Sequence, residues 1–159
     1  MSGPMNAEDI LTVPADARIL VVDDNAQNLE LLQAYLEDLG CQIEIAHDGA
    51  EAIEIARQRV PDVVVLDVMM PRLSGFPVCE RLKKDPATAG VPIVMVTALN
   101  EISDVERAIE AGADDFLTKP VQRLELLARV KSQINVQHIR RRLELAIKRL
   151  REMDAGSVN

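Results

Sequence analysis

Short apolar runs alternate with longer segments of helical period along the chain. Residues 18–22, 42–46, 62–66, 92–96 and 114–118 read as five strands. Most are β-branched runs with little polar alternation, the pattern of a parallel sheet covered on both faces. Leu29, Leu32, Leu36 and Leu39 recur at steps of three and four, a helical stripe, and Gly40 follows where a helix normally stops. Asp48 with Glu51 and Ser103 with Glu106 have capping-box spacing and predict two later helix starts, and Gly112 predicts the end of the second. Strand and helix alternate five times. The expected fold is α/β, a doubly wound (βα)5 parallel sheet with helices on both faces.

The last segment departs from this rhythm. Residues 124–153 contain no Pro or Gly, so one helix can run near 30 residues, or ~45 Å. Val136, Ile139, Leu143, Ala146, Leu150 and Met153 follow one another at alternating steps of three and four, an a/d seam of under three heptads. The ordinary reading is an amphipathic helix folded back on its own domain. The first part of the helix must already cover the sheet, however, so the second part would overhang, which favours a partner helix and a homodimer. The expected organisation is an N-terminal extension (1–16), one compact domain (17–135) and a C-terminal helical extension (136–159).

Composition narrows the function. Of 159 residues, 48% are apolar and 28% charged, enough for a core and a solvated surface, which excludes disorder of the whole chain. The apolar runs, such as 63–66, stop at a charge too soon to span a membrane. The first 16 residues lack both a basic residue and an apolar stretch, so they do not read as a secretory signal. Two Cys and two His offer neither a disulfide framework nor a His-rich zinc site. A cytoplasmic location is expected. Six of the 18 basic residues but only three of the 26 acidic ones lie after Gln137, leaving the preceding body at −11. Such a body repels phosphates, and one Tyr, two Phe and no Trp give no platform for bases, so no nucleic-acid partner is expected. The run Arg140-Arg141-Arg142 reads as a solvated helix face.

In an open parallel sheet, ligands bind outside the carboxyl ends of the strands. There the sequence places Asp23-Asp24, Asp67, Thr97 and Lys119-Pro120. Any one Asp at a strand end is ordinarily a cap for the next helix. Three converging carboxylates are different, because their repulsion calls for a proton or a cation. Oxygen ligands with no Cys or His nearby select Mg²⁺ or a similar hard ion. A hydroxyl (Thr97) and an ammonium (Lys119) around that cluster suit a tetrahedral dianion, the setting of phosphoryl transfer. A carboxylate can itself be the nucleophile. Asp67, at the end of a central strand, is the best placed.

These stretches resemble a two-component response-regulator receiver domain of the CheY-like superfamily, over roughly residues 18–134. The resemblance rests on Ile19-Leu20-Val21-Val22-Asp23-Asp24, Leu66-Asp67-Val68-Met69-Met70-Pro71, Val96-Thr97-Ala98 and Gly112-Ala113-Asp114-Asp115-Phe116-Leu117-Thr118-Lys119-Pro120. It implies a flavodoxin-like sheet of order 2-1-3-4-5. It implies that Asp67 accepts a phosphoryl group from a histidine kinase or histidine phosphotransfer protein, and that the chain is a signalling switch rather than an enzyme. By the same resemblance Asp24 and Asp67 bind Mg²⁺ directly, Asp23 binds it through water, and the Met69 carbonyl completes the protein ligands. Thr97 and Lys119 contact the phosphoryl group, and the Lys119–Pro120 bond would often be cis. Phe116 takes the position of the switch aromatic that moves with Thr97; its ordinary reading is core filler. Met69 and Leu99 take the positions flanking the path of hydrolytic water, and both are apolar, so slow loss of the phosphoryl group is expected. The long final helix resembles that of receivers preceding cyclic-dinucleotide synthase domains. Whether the chain acts alone or as a piece of a longer protein stays open, since 22 residues after Gln137 cannot hold an output domain.

Two other readings compete. An Asp-nucleophile phosphohydrolase usually carries an acid two residues after its nucleophile, where this sequence has Met69, and it needs a cap for its substrate. A receiver-like interaction module with no phosphorylation would not need Asp23, Asp24, Asp67, Thr97 and Lys119 together.

Overall fold

The computed structural model describes residues 13–70, 74–98 and 102–156. Five strands, β1 (Arg18–Val22), β2 (Gln42–Ala46), β3 (Val63–Asp67), β4 (Ile93–Thr97) and β5 (Asp115–Thr118), form one parallel sheet in the order β2-β1-β3-β4-β5. The helices are α1 (Ala26–Leu36), α2 (Gly49–Gln58), α3 (Gly75–Lys84), α4 (Ile102–Glu110) and α5 (Arg123–Gly156). The expected doubly wound fold is thus present. β3 and β4 each begin and end one residue later than the apolar runs predict, so that Asp67 and Thr97 are the last residues of their strands.

Side chains alternate across each strand, and each face is buried by a different set of helices. Leu20, Val22, Val64 and Leu66 pack with Ala52 and Ala56 of α2, Val78 and Leu82 of α3, and Ala108 of α4. Ile19, Val21, Val65 and Val94 pack on the other face with Leu29, Leu32 and Leu36 of α1 and Leu126, Val130 and Ile134 of α5. β3 is buried along its whole length, as its unbroken Val63–Asp67 run requires.

The local punctuation mostly follows the sequence. The α1 stripe passes into a short 3-10 turn, Glu37–Leu39, and ends at Gly40 with φ +70°, a left-handed conformation that favours glycine. Asp48 caps α2 by accepting from the Glu51 N–H at 2.8 Å. The Ser103–Glu106 pair is not a capping box: α4 begins at Ile102, so Ser103 already lies inside the first turn.

α5 is one continuous helix of 34 residues, ~51 Å long. Its buried residues are Leu126, Val130, Ile134 and Gln137, and every described residue from Ile139 to Gly156 is exposed. The helix runs antiparallel to the strands and leaves the domain at the end opposite the strand carboxyl termini. Among the described residues no helix is long and apolar enough to cross a membrane.

Candidate phosphoryl-acceptor site

Parallel pairing brings the strand ends to one rim. The Asp23 N–H donates to the Ala46 carbonyl at 3.2 Å, that of Val68 to Val96 at 3.0 Å, and that of Lys119 to Thr97 at 2.8 Å. These bonds continue the ladder past the last strand residues and bring Asp23, Asp67, Thr97 and Lys119 to that rim. The Lys119–Pro120 peptide is cis.

Asp23, Asp24 and Asp67 each offer one carboxylate oxygen such that all three lie within 4.8 Å of one another. Asp23 and Asp67 are buried and Asp24 is exposed, so the cluster has a dry floor and a wet rim. Asp67 Oδ1 lies 3.2 Å from Lys119 Nζ and accepts from the Met69 N–H at 3.3 Å. Asp23 Oδ1 accepts from the Asn25 N–H at 2.9 Å, and Asn25 in turn caps α1 through Gln27 and Asn28. Asp23 Oδ2 is buried and has no hydrogen-bond partner among the described residues.

A buried carboxylate with an unpartnered oxygen, clustered with two further carboxylates, is electrostatically incomplete. Burial pushes the Asp23 carboxyl above its ordinary value; the Asn25 N–H opposes the shift, and the charge of Asp67 adds to it. Among the described residues Lys119 is the cation paired with Asp67, and one ammonium cannot balance three carboxylates. A hard divalent cation fits this donor set, which is all oxygen, converging and partly open to water.

Thr97 is buried at the end of β4. Beside it a shallow, mostly apolar pocket is lined by Phe76, Ala108 and Phe116, with Asp104 as its one charged residue among the described residues. Phe116 is 37% exposed, at the mouth of this pocket rather than filling the core. Met69, two residues after Asp67, is 61% exposed. Leu99 and Pro71 lie outside the described residues.

One residue that shapes the site escaped the motif reading. Gly75 opens α3 directly beneath Asp67, its N–H donating to the Val68 carbonyl at 2.9 Å. A Cβ there would stand 2.6 Å from the Asp67 carbonyl oxygen and 2.9 Å from Val68 Cα. The sequence offers only a Ser-Gly helix start as a signal; the requirement for glycine is set by a contact with β3.

Comparison with known proteins points the same way. Residues 19–131 match the family described as the response regulator receiver domain. The chain is 44% identical over 140 residues to the response regulator PleD of Caulobacter vibrioides, covering 88% of this chain and 29% of PleD. It is 43% identical over 115 residues to RpaA of Synechocystis, a DNA-binding dual master transcriptional regulator, covering 72% of this chain and 48% of RpaA. The crystal structure of a CheY-like receiver domain protein from Methanospirillum hungatei superposes with a TM-score of 0.73 at 27% identity, covering 79% of this chain and 98% of that one. The chain therefore spans less than half the length of these two curated relatives.

Proposed function

The chain belongs to the response regulator receiver domain family, and from that premise we propose that Asp67 is its phosphoryl acceptor, with Asp24, Asp67 and the Met69 carbonyl as direct Mg²⁺ ligands and Asp23 bound through water. Receiver domains act as phosphorylation-dependent switches and interact with histidine kinases or histidine phosphotransfer proteins. The observation that carries the reading here is Asp67 itself: a carboxylate at the end of a central buried strand, 3.2 Å from Lys119 and within 4.8 Å of two other carboxylates.

An Asp67 carboxylate oxygen attacks the phosphorus of a phosphohistidine in line with the imidazole nitrogen. The N–P bond breaks as the O–P bond forms, and the imidazole leaves with the electron pair and takes a proton from solvent. Mg²⁺ supplies positive charge to the phosphoryl oxygens when bound. Lys119 holds Asp67 in place before transfer and turns to a phosphoryl oxygen after it, since its side chain is still partly open to solvent. Thr97 donates its hydroxyl to another phosphoryl oxygen. Its inward movement vacates the pocket that Phe116 enters, and this carries the signal to the face formed by α4, β5 and α5. The overhanging half of α5 mediates a homodimer and lies at the far end of the domain from the acceptor.

The test is incubation with Mg²⁺ and a small acyl-phosphate donor. The expected result is a mass increase of one phosphoryl group, removed by hydroxylamine and absent from Asp67→Asn. Undiminished labelling of that variant would assign the acceptor elsewhere.

A further inference from the structure

The two halves of α5 present opposite faces. Leu126, Val130, Ile134 and Gln137, buried against the domain, fall on one stripe of the helix. At about 100° per residue, Ile139, Leu143, Ala146, Leu150 and Met153 centre about 180° away from that stripe. Arg141, by contrast, is in phase with the buried stripe. Its Nη1 lies 2.9 Å from Asp62 Oδ1. The helix is thus tied to its own domain on one side while its apolar seam faces away on the other. Exposure along the seam rises outward, from 38% at Val136 and 47% at Ile139 to 58% at Leu143 and 70% at Met153. A straight helix cannot turn this seam onto its own receiver.

Charge then selects the orientation of a partner. With the seam at a and d, the flanking e positions are Arg140, Ile147 and Asp154, and the g positions include Arg142 and Arg149. In a parallel pair, g faces e of the next heptad. Arg149 then meets Asp154 of a second copy, and Arg142 lays its aliphatic stem over Ile147. In an antiparallel pair g faces g, and Arg142 meets Arg149 twice, placing like charges together at both ends of the same flank of the seam. Ala146, small and at a d position, allows close approach.

Resting on the self-association reading above, we propose that the occupant of this face is a second copy of the chain. The two α5 helices pair in parallel and in register from Val136 to Met153, with the receivers on the outer sides of the pair. Because the seam begins where the domain ends, neither receiver obstructs the other helix.

The experiment uses the full chain carrying Cys41→Ser, since Cys79 is buried and its thiol is pushed up to about 12. Leu150→Cys is expected to form a disulfide-linked dimer under mild oxidation. An equimolar mixture of Ile139→Cys and Leu150→Cys is expected to give only homodimers. Mixed 139–150 dimers in preference to homodimers would overturn the parallel register. In sedimentation, Asp154→Arg is expected to weaken association by roughly 2- to 5-fold, and adding Arg149→Asp to restore it. No effect of either variant would overturn the Arg149–Asp154 pairing. A wild-type chain that stays monomeric at about 1 mM overturns self-association itself. Asp67 labelling of the same samples checks the receiver reading independently.

Discussion

Arg141 and Asp62 join the overhanging helix to the base of the sheet. Arg141 Nη1 lies 2.9 Å from Asp62 Oδ1, and the other oxygen of the same carboxylate accepts the Arg18 N–H at 2.7 Å. Asp62 thereby closes the amino-terminal end of β1 and holds the helix at its point of exit. The two partners are unequal, since the Arg141 side chain is 45% exposed and that of Asp62 only 11%. Arg141→Ala should cost under about 1 kcal/mol, because a solvent-screened cation is lost. Asp62→Ala should cost about 1–3 kcal/mol, because it also strands the Arg18 N–H. Urea unfolding of the two variants checks the order, and equal losses would contradict it.

The acidic cluster makes a prediction about pH and metal. The Asp23 carboxyl is held above its ordinary value mainly by burial, so between the ordinary and the raised value the folded state binds more protons than the unfolded one. Without Mg²⁺, stability should therefore fall as pH rises through that window, and the penalty should persist above it. Asp23→Asn should raise apo stability at neutral pH by about 1–2 kcal/mol, or roughly 2–8 °C in Tm, with the gain shrinking in acid. Asp24→Ala should weaken Mg²⁺ binding roughly tenfold or more if Asp24 is the direct ligand proposed above. The chain has no Trp, so calorimetric titration and thermal shift with Mg²⁺ are the appropriate readouts.

Gly75→Ala should destabilise the domain by about 2–4 kcal/mol, because a methyl group cannot sit 2.6 Å from the Asp67 carbonyl oxygen without moving β3 or α3. Both neighbours are backbone, so no side chain can give way. Chemical unfolding measures the loss, and labelling of Asp67 should slow in the same variant. An alanine protein as stable as the wild type would show that α3 shifts freely.

The lifetime of the phosphorylated form should respond to Met69 and Leu99. Neither side chain can orient or polarise a water for attack on an aspartyl phosphate. Met69→Asn/Leu99→Glu should release phosphate faster, by ~10²-fold where both groups engage the water. A time course of phosphoryl release under equal Mg²⁺ decides it, and unchanged decay would place control of water elsewhere.

What the sequence determined by itself is what each residue reports locally. Strands buried on both faces need unbroken β-branched runs, so β1 and β3 were legible from Ile19–Val22 and Val63–Leu66, and with them the α/β class. Acids, a hydroxyl and a lysine stood at strand ends, where a parallel sheet opens its ligand crevice. The seam from Val136 to Met153 was visible as a period. The tertiary structure decided what depends on distance between segments remote in sequence. It brought carboxylate oxygens of Asp23, Asp24 and Asp67 within 4.8 Å of one another and left Asp23 Oδ2 without a hydrogen-bond partner among the described residues. It made Gly75 obligatory through a contact with β3 that no local pattern encodes. It set the start of α4 one residue before Ser103, so the capping spacing there had no cap to make. Periodicity marks a stripe on a helix but not the direction in which that stripe points. Only packing of Leu126, Val130 and Ile134 on the sheet, and the Arg141–Asp62 contact beyond them, turned the seam away from the domain.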